Sequence, residues 1–112
     1  MARGEKIYIG AENRTVRELT KAGQTLTEDE KLAVLRVQAW FSDTVCLDTD
    51  NATDPISYED GKVTMQAGLA SGLSAGAATV YLTVFDAEHT TGLAWGSFDA
   101  EIIEWPKCEA GT

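Results

Sequence analysis

An all-β, antiparallel sandwich is the fold that three features of this sequence predict. Residues 77–105, AATVYLTVFDAEHTTGLAWGSFDAEIIEW, read as two long strands joined by a polar loop. Shorter alternating runs recur along the rest of the chain, separated by Gly, Asn, Asp and Pro turn signals. No segment reads as a secure helix.

Taken in order, residues 6–9 predict a short strand with Ile7 and Ile9 on one face, and residues 10–13 break it. Residues 15–20, TVRELT, are β-branched but charged, which suits a sheet edge. Residues 21–24 form a turn in which Gly23 is free to take a positive φ. Residues 27–41 fit two patterns. Thr27-Glu28-Asp29-Glu30 matches the capping box that opens a helix. Against it, Ala33, Leu35, Val37, Ala39 and Phe41 are apolar at a spacing of two, the period of a strand. The strand over 31–41 is favoured, with TEDE as the turn before it.

Residues 42–44 turn into a returning strand, 44–47. Residues 48–55, DTDNATDP, are a loop, and 56–58 a short strand. Asp60-Gly61 is a strong hairpin signal. It leads into a strand over 62–67 with Val63, Met65 and Ala67 inward. The small-residue loop 68–76 holds Leu69 and Leu73, expected to plug the end of the core.

The long hairpin follows. Side chains alternate between the two faces of a strand, so Ala78, Val80, Leu82 and Val84 share one apolar face. Phe98, Ala100 and Ile102 continue it on the return strand, with Trp95 and Trp105 on the opposite parity. An isolated hairpin is marginal in water, and residues 33–41 and 63–67 are the expected cover. Pro106 lacks a ladder N–H and stops the last strand, leaving 106–112 as a loose tail. The count of about seven to eight short strands at this spacing predicts an immunoglobulin-like build, with a small closed barrel second.

The 112 residues fit one domain over 1–112. A hydrophobic content of 44% suits a folded core rather than disorder. No apolar run reaches the ~20 residues of a membrane helix, and no signal-peptide core follows the N-terminal charges. A soluble protein made in the cytoplasm is expected. The net charge of -9 is uneven: residues 1–40 carry seven Lys/Arg against six acids, and residues 41–112 carry two against twelve. Such an acidic surface repels phosphate backbones, which argues against nucleic-acid binding. The asymmetry fits a solubilising surface, or charge-complementary packing between copies. Cys46 and Cys108 lack the spacing of a zinc or redox motif; a disulfide between them is the alternative to free thiols, which a reducing compartment favours.

Asp48, Asp50, Asp54 and Glu59 occupy positions 1, 3, 7 and 12 of a calcium-loop frame. Ala52 and Thr53 stand where that loop needs an oxygen ligand and a glycine, so a solvated acidic loop is the better reading and no metal or cofactor is expected. Asp86, Glu88 and His89 put a titratable ring beside carboxylates. With one His and no neighbouring nucleophile they read as a polar loop or a partner contact, not a catalytic site. The large aromatics Trp40, Trp95 and Trp105 suit either core packing or an interface. Asp86, Glu88, His89, Trp95 and Trp105 are the candidate contact residues. Asn13-Arg14-Thr15 and Asn51-Ala52-Thr53 fit the glycosylation pattern, which without a secretory signal reads as chance.

Residues 61–98, GKVTMQAGLASGLSAGAATVYLTVFDAEHTTGLAWGSF, resemble a family of short proteins encoded in the morphogenesis regions of tailed bacteriophages and prophages. RTVRELTKAGQTLT and VLRVQAWFSDTVCLDTD extend the likeness upstream, so that it covers residues 14–103. The layout is also similar to the N-terminal immunoglobulin-like domain of phage upper-baseplate proteins. TEDE and the Cys108 tail depart from the pattern. The resemblance implies a non-enzymatic virion protein of the tail, baseplate or tail-fibre region, assembled in the host cytoplasm. It would act through contacts with other virion proteins and with copies of itself in a symmetric array. A capsid decoration protein and a carbohydrate- or receptor-binding module are the alternatives.

Overall fold

The computed structural model describes residues 5–21, 23–41 and 45–106. The chain is predominantly β, as expected. Ten strands follow one another among the described residues. They are β1 (Glu5–Ile9), β2 (Thr15–Glu18), β3 (Thr20–Lys21), β4 (Gln24–Thr25) and β5 (Arg36–Phe41), then β6 (Val45–Asp48), β7 (Ile56–Glu59), β8 (Lys62–Met65), β9 (Gly76–Phe85) and β10 (Leu93–Glu104). The expected turn at 42–44 and the tail at 107–112 lie outside the described residues.

Five strands form one sheet in the order β1-β10-β9-β5-β6, three form a second in the order β2-β8-β7, and β3-β4 are a separate ribbon. The long hairpin β9–β10 is therefore central to the larger sheet. Its inward residues Val80, Leu82, Val84, Ala100 and Ile102 are buried. They belong to one apolar cluster with Val37, Ala39 and Phe41 of β5 and with Ile56, Val63 and Met65 of the smaller sheet. The expected cover is thus half corrected. Residues Val63 and Met65 do come from the other sheet, but β5 is hydrogen-bonded beside β9, with Val37 opposite Val84 and Phe41 opposite Val80.

The larger sheet is not antiparallel throughout. β1 runs parallel to β10, with Ile7 opposite Ile102, both buried. A parallel neighbour needs a crossover, and here the whole chain between Gly10 and Leu93 supplies it. Gly68 permits the docking of β1's end. It accepts from the Gly10 N–H at 2.8 Å, and a Cβ there would stand 2.0 Å from the Tyr8 carbonyl oxygen.

Residues 27–41 follow neither expected pattern from end to end. The capping box is formed: the Glu30 N–H donates to Thr27 Oγ1 at 3.2 Å and the Thr27 N–H to Glu30 Oε1 at 2.9 Å. It opens the six-residue helix α1, Glu28–Ala33, which buries none of its residues. The strand begins only at Arg36, so Leu35, expected inward, is 66% exposed. A helix that short is not stable alone. Tyr58 Oη fastens it, donating to the Lys31 carbonyl at 2.6 Å, and Lys31 Nζ reaches Glu28 at 3.1 Å and Asp60 at 3.5 Å.

The Asp60-Gly61 hairpin is as read. Both residues take positive φ, 51° and 80°, the geometry whose twist matches paired strands, and Glu59 faces Lys62 across it. The plug at the end of the core is shifted: Ala67 and Gly68 are buried, Leu73 is half-buried against the core, and Leu69 is exposed.

Candidate functional site

The loop between β9 and β10 is built on one carboxylate. Asp86 Oδ1 accepts from the Glu88 N–H at 3.0 Å and the His89 N–H at 2.7 Å, and the His89 ring Nδ1 lies 2.8 Å away. The Asp86 carbonyl also accepts from the His89 N–H, at 3.2 Å. A short acidic side chain bonding its own following main chain is a self-contained turn. The His89 ring, followed by those N–H groups, holds the Asp86 carboxyl below the usual carboxylate range. Glu88 and His89 are exposed. Gly92 closes the loop at φ 101°, with a would-be Cβ only 2.6 Å from Thr83 Cγ2. The structure thus brings Asp86, Glu88 and His89 together as a compact surface loop.

Trp95 and Trp105 are not brought together. The register of β10 on β9 shifts between Ala94 and Gly96, which leaves Trp95 as an extra residue. A bulge of this kind re-aims the side chain. Trp95 packs against the core, and its Nε1–H is buried without a hydrogen-bond partner among the described residues. The expected shared face of Trp95 and Trp105 is therefore corrected: one inserted residue breaks the parity count between them. Trp105 is 51% exposed and meets Tyr8 edge-on, ring centroids 5.1 Å apart.

A different aromatic pair stands on the outer face of the five-stranded sheet. Trp40 of β5 lies opposite Tyr81 of β9 and opposite Cys46 of β6, and Tyr81 lies opposite Ser97 of β10. This row crosses four strands. Trp40 is 49% and Tyr81 53% exposed, an unusual outlay of aromatic surface for the middle of a sheet. Gln38, Thr79 and Thr83 stand beside the pair on the same outward parity, and Asp48 and Asp99 face Gln38 and Thr79 from the neighbouring strands. In the sequence Trp40 stands out by size alone. Tyr81 carried a readable signal, its outward parity on a long strand, but its register with Trp40 depends on β5 pairing with β9, which local sequence does not state.

The acidic stretch after β6 is tied down. Arg36 grips Asp48 with both Nε, at 2.9 Å from Oδ1, and Nη2 on Oδ2. Gln38 Nε2 donates to Oδ2 at 2.9 Å and the Asp50 N–H to Oδ1 at 3.0 Å. The Arg36 guanidinium, with Gln38 and the Asp50 N–H, holds the Asp48 carboxyl far below the usual range. The guanidinium also lies 4.7 Å over the Phe85 ring. Asp54 Oδ2 accepts from the Asp48 N–H at 3.0 Å, and Asn51 Oδ1 from Thr53. These carboxylates are spent on Arg36 and on the main chain, and among the described residues no group of three or more His, Cys, Asp or Glu converges as a metal site would require.

The arrangement offers contact surfaces: a self-organised acidic loop at one end of the long hairpin, and an uncharged aromatic row across the sheet's outer face. No family model, no curated protein and no solved structure matches the chain.

Proposed function

We propose that this chain is a non-enzymatic structural protein of a tailed-bacteriophage particle, of the tail, baseplate or tail-fibre region, working through protein–protein contacts. The observation that carries the contact role is the exposed Trp40–Tyr81 pair. Trp and Tyr bury large area at little conformational cost and concentrate at interface hot spots. The phage setting rests on the resemblance of residues 14–103. Two β-sheets that share one core support the immunoglobulin-like sandwich it implies, although the parallel β1–β10 pair is a departure from that plan. Mass spectrometry of purified particles tests the proposal. The chain is expected among the virion proteins, retained in tails separated from heads. Its absence from particles would refute the structural role, and retention on tail-less heads would select a capsid decoration protein.

A receptor-binding module is the second reading, favoured by the same pair, since two exposed rings flanked by Gln38 and Ser97 suit a sugar face. Binding on a glycan array that is lost in Trp40→Ala would select it.

A further inference from the structure

Main-chain groups along an antiparallel strand point alternately to its two sides. In β6 the alternation is fixed by the bonds at its end. The Thr49 N–H donates to the Val37 carbonyl at 3.0 Å, on the β5 side. The Asp48 N–H turns the other way and donates to Asp54 Oδ2 at 3.0 Å, while the Asp48 carbonyl accepts from the Asn51 N–H at 3.0 Å. Two residues earlier, the Cys46 N–H and carbonyl share that outward direction. β6 is the last strand of its sheet. Among the described residues, the loop 49–54 closes one end of the edge and leaves the stretch at Cys46 open.

Beside that stretch runs a groove of about 330 Å³, lined by Val45, Cys46, Leu47, Asp54, Leu69 and Ala70. Leu69 is 45% exposed there. Val45-Cys46-Leu47 has no Lys and no Pro, the residues that usually guard an edge. The opposite edge of the sheet, β1, carries Glu5 and Lys6, and the edge strand β2 carries Arg17 and Glu18. The acid on β6, Asp48, is already neutralised by Arg36. Although each chain carries a charge of -9, two copies that meet along this edge bring no uncompensated charge of β6 together.

We infer that β6 pairs antiparallel with β6 of a second copy, about a two-fold axis at Cys46, so that the two five-stranded sheets continue into one another. On that axis each Cys46 both donates to and accepts from its counterpart, and Val45 of one copy stands opposite Leu47 of the other. The contact is isologous and closes at two copies. Pairing ends at Asp48, whose main chain is taken by Asp54 and Asn51. What the open edge asks for is extended backbone, the chemistry of strand addition. A second copy supplies it with a strand of matching shape whose one acid is already paired with Arg36. The inference does not rest on the virion reading, and its test uses the isolated protein.

Sedimentation equilibrium of the full chain is expected to give twice the chain mass at high concentration and a single chain mass on dilution. Cys46→Pro removes the N–H on the open side, a position where an edge strand tolerates proline. Cys46→Lys places a charge on each side of the axis and leaves the main chain intact. Both are expected to sediment as single chains with the circular dichroism of the parent, and Cys46→Lys decides the matter if the proline variant does not fold. In a Cys108→Ser background, a short bismaleimide is expected to join two copies through Cys46. A parent that stays monomeric, a mass that grows beyond two copies, or a dimer that survives Cys46→Lys would overturn the pairing.

Discussion

Two loops of this protein begin with an aspartate whose carboxylate accepts from the main chain of its own loop, yet they are anchored to different things. In residues 48–54 the Asp48 carboxylate also takes a bidentate grip from Arg36 and a bond from Gln38, both on β5. In residues 86–92 the partners of the Asp86 carboxylate among the described residues lie in its own loop, the N–H groups of Glu88 and His89 and the His89 ring. The first loop is part of the sheet. The second is a module at the tip of a hairpin, free to be changed or to touch something else. Local sequence looks alike in the two places, and the difference lies in what the neighbouring strand presents.

The largest expected effect follows from that anchoring. Asp48→Ala takes the acceptor from Gln38 and the Asp50 N–H and leaves Arg36 its longer contact to Asp50, at 3.5 Å. Hydrogen bonds to charged groups contribute about 1.5–3 kcal/mol each when buried. The Asp48 side chain is 17% and the Arg36 side chain 34% exposed, so solvent recovers part of the loss. A cost of about 2–3 kcal/mol is expected, read from urea unfolding. A cost no larger than that of Asp86→Ala in the same assay would erase the distinction between the loops.

Gly92→Ala comes next, because the tip module is joined to β10 through a backbone that only glycine adopts easily. At φ 101° an alanine is strained, and its Cβ would press Thr83 Cγ2 at 2.6 Å and the Phe85 ring at 2.9 Å. A loss of about 1–3 kcal/mol is expected. The loop's own bonds from Asp86 should persist, so hydrogen exchange at the amides of Glu88 and His89 should stay unchanged while the global midpoint falls.

These two sites also show what the sequence could and could not tell. The Asp60-Gly61 turn, the β5–β6 and β9–β10 hairpins and the inward residues Val80, Leu82 and Val84 were legible, since each rests on neighbours in the chain. The start of β5 was not. Helix α1 buries nothing, so it leaves no apolar stripe, and the alternation of Ala33 and Leu35 ahead of Val37 imitates a strand. The parallel pairing of β1 with β10 joins residues more than ninety apart, which no local pattern encodes. In the candidate site, the Asp86 loop was legible as a polar break. The bulge at Trp95 was not, because parity counting assumes that no residue is inserted, and the meeting of Trp40 with Tyr81 depends on β5 lying beside β9.

Acid should separate the loops more gently. The folded Asp48 carboxyl titrates far below its unfolded value. The unfolded chain therefore binds the proton first, and stability rises with pH. The contribution is complete above the unfolded carboxylate range of about 4 and is lost as pH falls below it toward the folded value. Asp48→Asn is expected to flatten the fall in unfolding free energy between about pH 5 and pH 2. Asp86 is lowered too and has the same sign, but its exposed loop is screened by water and salt, so Asp86→Asn should flatten the curve less. A steeper change in Asp86→Asn than in Asp48→Asn would reverse the ranking.

The smallest effect belongs to His89, and it is the one that bears on contact. The ring lies beside Asp86 but is 46% exposed, and the two N–H donors to the same oxygen do not need it. His89→Ala should leave stability within about 0.5 kcal/mol of the parent. A residue that costs nothing in the isolated fold is informative in an assembly, since any loss must come from a contact it makes outside. Under the proposed virion role, particles assembled with His89→Ala and with Trp40→Ala are compared by the amount of chain that each retains. If the loop is the contact, His89→Ala lowers retention with the thermal midpoint unchanged. If the sheet face is the contact, only Trp40→Ala does. A thermal midpoint for His89→Ala as low as that of Asp48→Ala would mean that the ring holds the loop together, and the tip would no longer be a module independent of the sheet.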